Sequence, residues 1–118
     1  MGRTVIYRSS SDLKTLKATS SFGMRDFQSI HDCILAGRYL VLFEYPLTFD
    51  KKWILLGYSF LECMKWVPEK YNTIIHIFDK DTLKKVTQLE APPLFNYHFS
   101  NGYSDGEEEI VLEYCAYP

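Results

Sequence analysis

The stretch SIHDCILAGRYLVLFEY, residues 29–45, decides the fold class. Two runs rich in aliphatic and aromatic residues, 29–35 and 39–45, flank Gly37-Arg38. A two-residue break of that kind between such runs reads as a β-hairpin turn. The arrangement recurs downstream. NTIIHIF (72–78) and LKKVTQL (83–89) flank Lys80-Asp81, and LFNYHFS (94–100) and EEIVLEYCA (108–116) flank NGYSDG, the strongest turn signal in the chain. Upstream, TVIYR (4–8) reads as a strand before a polar turn at 9–12, and weaker candidates near 14–18 and 62–67 bring the count to about eight. Residues 53–65 hold either a short helix or an apolar loop, which periodicity does not separate. Successive hairpins without long helices between them predict an all-β, antiparallel meander rather than βαβ units.

Two four-stranded units of this kind are what successive blades of a β-propeller look like, and 118 residues are too few to close such a ring. The length suits about one small domain, and residues 1–118 show no linker, low-complexity segment or internal boundary. With 47% hydrophobic and 24% charged residues, the chain has apolar surface for a core, which argues against disorder. A net charge of −2 without a Lys/Arg cluster gives no electrostatic reason to bind nucleic acid. Three cysteines, Cys33, Cys63 and Cys115, form no pairing pattern, so a reducing, cytoplasmic setting is expected and the thiols read as small core residues. Asp32 beside Cys33 disfavours a reactive thiolate. The most apolar stretch, 53–64, is too short to cross a bilayer.

The residues that could carry chemistry are few. His31, beside Asp32, and His98, after Tyr97, each lie in a β-like run. Each reads either as a hydrogen-bonded core histidine or as a metal ligand, and no HxH, HExxH or CxxC spacing decides the matter. His76 shares a strand face with Ile74 and Phe78, which suits a buried structural histidine or an edge position. The acidic run 107–109 reads as a solvated strand entrance.

Three ordered segments resemble the carotenoid cleavage oxygenase family, which includes the retinal pigment epithelial membrane proteins, and are closest in character to its bacterial apocarotenoid-type members. SIHDCILAGRYLVLFEYPLTF (29–49) is similar to a segment in which His-Asp or His-Ser precedes a hydrophobic strand. LLGYSFLECMKWVPEKYNTIIHIFDKD (55–81) resembles the following Trp/Phe-x-Pro segment, and LFNYHFSNGYSDGEEEIVLEYCAYP (94–118) resembles Phe-His-x-x-Asn leading into a strand. The resemblance implies that the chain is an internal fragment forming about two blades of a seven-bladed β-propeller. It implies Fe(II) held by four histidines, of which His31 falls on the second and His98 on the third. Cys33, Gly102 and Ser104 depart from the family's usual aromatic, Ala or Thr, and Glu at the matching positions.

Neutral imidazoles suit Fe(II) and open coordination positions admit O2. The family reaction splits a conjugated double bond of a carotenoid or apocarotenoid into two carbonyl products, while a minority of members isomerise and hydrolyse retinyl esters. The resemblance also gives the apolar run a role: Trp53, Ile54, Leu55, Leu56, Tyr58 and Phe60 form a peripheral membrane or substrate-entry patch, with Lys51 and Lys52 at its edge. A chain with two of four ligands is expected to be inactive alone and prone to associate through open sheet edges. The alternative is a non-catalytic β module, or a truncated remnant, binding lipid or a protein partner.

Overall fold

The computed structural model describes residues 2–106 and 109–117, and over these the chain forms ten strands and one short helix. β1 (Gly2–Ser9) and β2 (Leu16–Met24) pair antiparallel. β3 (Ile34–Ala36) and β4 (Tyr39–Glu44) follow, then β5 (Leu47–Phe49), α1 (Lys51–Leu55) and β6 (Met64–Trp66). β7 (Thr73–Asp79) and β8 (Lys85–Ala91) precede a long final hairpin of β9 (Phe95–Asp105) and β10 (Glu109–Tyr117). The fold is all-β and antiparallel.

The central unit is a four-stranded sheet in the order β3-β4-β7-β8, with the β5–β6 pair and α1 inserted between its second and third strands. Its first hairpin is the expected one: Ala36 pairs with Tyr39 across Gly37-Arg38. Gly37 has φ of 59°, which a Cβ disfavours and which a primed hairpin turn requires. At the second hairpin Asp79 receives the amides of Asp81 and Thr82 on one carboxylate oxygen, so the turn is closed by a side chain.

β4 is buried on both faces. Val41, Phe43 and Tyr45 point toward β9 and β10, where the Phe43 ring lies 4.9 Å from Phe99 and 5.7 Å from Tyr114. Leu42 and Glu44 point the other way, onto the face shared with His76 and Phe78, and Phe22 of β2 covers that side at 5.0 and 4.9 Å. The inner strands β4 and β7 therefore alternate between two covered faces, whereas the edge strand β8 is exposed.

The final hairpin departs from its expected shape. NGYSDG is almost wholly strand, because β9 runs to Asp105 and the reversal falls at Gly106, with φ of 74°. Asn101 pairs with Glu113 and Gly102 with Leu112. Gly102 is there for closeness: a Cβ would meet Ile34 side-chain atoms at 2.8 and 2.9 Å. Ser104 likewise lies against Gly37, so small residues let β9 approach β3. Of the acidic run, Glu107 and Glu108 lie outside the described residues and Glu109 opens β10.

The ladder between β9 and β10 is irregular near His98. Tyr114 pairs with Phe99 and Ala116 with Asn96, so Tyr97 and His98 together face Cys115. Glu113 pairs with Asn101, which leaves Ser100 as a second extra residue. Two bulges thus bracket Phe99.

The run 29–35 is also shorter as strand than its composition suggests: only Ile34 and its successors to Ala36 pair, and residues 25–33 are irregular. Side chains replace the ladder there. The Gln28 side chain receives the Tyr45 amide at 3.0 Å, and Asp26 receives the amide of Phe49 at 2.9 Å. Arg25 binds Glu44 through its own amide and its guanidinium. Only Cys63 is a core thiol; Cys33 and Cys115 are exposed, because irregular backbone at 33 and an outward strand position at 115 turn them from the core.

Candidate metal centre

His98 sits on β9 within its first bulge, and His31 sits on the irregular segment before β3 rather than on a strand. The topology nevertheless brings them face to edge: their ring centroids are 5.0 Å apart with planes at 84°. Tyr97 packs on His31 as well, at 5.6 Å. Both histidines are exposed, so neither is a core residue.

Imidazoles this close could hold one ion between them. The same geometry is also an ordinary edge-to-face aromatic contact. Among the described residues no group of three or more His, Cys, Asp or Glu side chains is gathered for a metal. The arrangement is a two-imidazole unit.

Asp32 is the contribution that spacing alone did not reveal. Its Oδ1 accepts the Cys33 amide at 2.8 Å and its Oδ2 accepts the Phe99 amide at 2.9 Å. The carboxylate therefore joins the residue after His31 to the residue after His98. Partial burial, with the Asp32 charge beside it, raises the Cys33 thiol above its ordinary value.

Next to the pair is an aromatic hollow of about 460 Å³, lined by Leu47, Leu61, Met64, Trp66, Phe95, Tyr97 and Tyr117. Tyr97 links it to His31, and the Phe95, Tyr97 and Tyr117 rings pack on one another at 4.8–6.1 Å. The alternation of Phe95 and Tyr97 opposite Tyr117 was the available sequence signal for this wall. Below it, the Tyr45 hydroxyl meets the backbone and side-chain oxygens of Asn96 at 3.0 Å, and burial holds that phenol well above its usual range.

The apolar run lies at the far rim. Asp50 caps α1 by accepting the Lys52 amide. Trp53 is half-buried against Tyr58 at 4.7 Å, and Phe60 packs on Phe49 and Phe27. Ile54, Leu55, Leu56, Tyr58 and Phe60 are exposed, Leu55 to 89%. Leu61 joins it to the hollow. Among the described residues no helix is long and apolar enough to cross a membrane.

His76 is the structural histidine of the chain. It is 2% exposed, and its Nε2 donates to Glu44 Oε2 at 2.8 Å, while Arg25 holds the other carboxylate oxygen at 2.9 Å. Burial pushes the Glu44 carboxyl up, but the bonds from His76 and Arg25 outweigh it and bring it to about 2.

The family model of the retinal pigment epithelial membrane protein matches residues 1–118. Carotenoid cleavage dioxygenase 8 homolog A, chloroplastic, of Oryza sativa subsp. japonica is 30% identical over 93 residues, covering 74% of this chain. Carotenoid cleavage dioxygenase 8, chloroplastic, of Arabidopsis thaliana is 27% identical over 97 residues, again covering 74%. The chain spans 16% of the length of either relative.

Proposed function

The chain belongs to the retinal pigment epithelial membrane protein family of carotenoid oxygenases, and on that footing we propose that it is part of a non-haem Fe(II) dioxygenase acting on a carotenoid or apocarotenoid with O2. The observation that carries this reading is the meeting of His31 and His98 at 5.0 Å in a chain matched along its length by the family. His31 and His98 supply two of the four imidazoles. Bound there, Fe(II) would supply O2 activation for splitting a conjugated double bond into two carbonyls.

The remaining residues bind and orient. A polyene is flat, stiff and apolar, and the wall of Trp66, Phe95, Tyr97 and Tyr117 offers ring faces and edges to it. Tyr97 touches His31, so a chain lying along this wall presents one of its double bonds to the imidazole pair. Trp53, Ile54, Leu55, Leu56, Tyr58 and Phe60 rest peripherally on a membrane in the cytoplasm, and Leu61 leads from them to the hollow. The sheet β3-β4-β7-β8 is one propeller blade, and β9-β10 belongs to the next. Alone, two imidazoles hold Fe(II) weakly, so the 118-residue chain is inactive by itself.

The test is made on the intact protein. His31→Ala and His98→Ala are each expected to abolish iron loading and the appearance of carbonyl products from an apocarotenoid. Retained iron loading and cleavage in either variant would reject that histidine as a ligand, and an intact wild-type protein without cleavage would favour a non-catalytic module. Liposome co-sedimentation with Trp53→Asp plus Leu55→Asp tests the patch, and unchanged binding removes it.

A further inference from the structure

We propose that Asp32 is a positioning residue that sets the distance between the two imidazoles by tying the segment carrying His31 to the strand carrying His98. This rests on the ligand reading of those histidines and goes beyond it. His31 lies on irregular backbone that no ladder holds, so its place must come from elsewhere. The Asp32 carboxylate supplies it with two charge-assisted bonds, from the Cys33 amide at 2.8 Å and the Phe99 amide at 2.9 Å. The first folds the backbone immediately after His31. The second crosses 67 residues of sequence to the residue immediately after His98.

The receiving end is built for this contact. Phe99 stands between the two bulges of β9, where the ladder to β10 is interrupted on either side. Its ring is fixed on Phe43 of the core at 4.9 Å, so the amide that Asp32 grips is attached to a buried anchor. Asp32 thus refers His31 to the same rigid point that locates His98. An outer group that orients a ligating histidine usually bonds its ring; here the carboxylate holds the backbone beside the ring.

The experiment is Fe(II) affinity of the intact protein by competition with a chromogenic chelator, for wild type, Asp32→Ala, Asp32→Asn and His31→Ala, with thermal midpoints alongside. Asp32→Ala is expected to weaken Fe(II) binding about 10- to 100-fold in protein that is still folded. Asn offers one oxygen for two amides, so Asp32→Asn is expected to weaken it about 3- to 10-fold. Wild-type affinity in Asp32→Ala with a lower melting point would mean a merely structural bond and overturn the proposal. If Asp32→Ala does not fold, unchanged affinity in Asp32→Asn overturns it. His31→Ala separates the two readings: its loss of affinity upholds the ligand, while wild-type affinity removes ligand and positioning role together.

Discussion

His76 and the His31–His98 pair show two ways one chain can use an imidazole. His76 sits on a regular inner strand, is 2% exposed, and is met by Glu44, which Arg25 also holds. His31 and His98 sit on an irregular segment and a bulge, are exposed, and face each other across two distant parts of the sequence. Regular backbone brought a histidine into the core with a carboxylate to bond it. Irregular backbone brought two histidines out of the core, where among the described residues neither ring is bonded to a carboxylate. The first arrangement invests in stability and the second in availability.

The sharpest way to break the comparison is to remove the carboxylate. Glu44→Ala leaves His76 buried without its partner and frees Arg25, and is expected to cost about 3–5 kcal/mol, read as a lower urea midpoint. A loss below about 1 kcal/mol would show that His76 does not depend on this pair. Acid probes the same contact. Because Glu44 titrates at about 2 when folded against an ordinary 4.5, its contribution is fully present above pH 4.5 and is lost as pH falls toward 2. That loss amounts to about 3 kcal/mol, measured as unfolding free energy against pH, and Glu44→Gln should flatten the curve.

Smaller effects sharpen the other side. Gly102→Ala sets a methyl against Ile34 and is expected to cost about 1–3 kcal/mol by pushing β9 from β3, seen in thermal melting. The smallest effect belongs to the pair itself. His31→Ala and His98→Ala are each expected to change folding stability by under about 0.5 kcal/mol, because exposed rings contribute little to a core. A larger loss in denaturant unfolding would make them structural after all.

Turn chemistry and alternation made the architecture legible, since Gly37 and the Lys80-Asp81 corner reverse the chain where such residues commonly do. The same logic misplaced the last turn. Asn101, Gly102 and Ser104 favour turns in general, but here Gly102 and Ser104 serve the close approach to β3. Residues 29–33 have strand-like composition yet stay irregular, and the segment is tied to the rest of the fold by side chains instead of a ladder: Gln28, Asp26 and Asp32 accept the amides of Tyr45, Phe49 and Phe99. Periodicity records ladders and has no term for such bonds. His31 and His98 were legible through resemblance, His76 through its strand face, and Asp32 through neither, since its partner lies 67 residues away.

That separation has a consequence for the order in which the chain acquires its shape. The hairpins β1–β2, β3–β4 and β9–β10 close over short spans of sequence, whereas the bond from Asp32 to Phe99 must wait for a long loop to be drawn in. Contacts of such span are formed late, after local pairing has lowered the entropy of closing them. The meeting of His31 and His98 depends on that same long closure. A chain whose local hairpins have closed, but in which that bond has not yet formed, still has the segments of its two histidines apart.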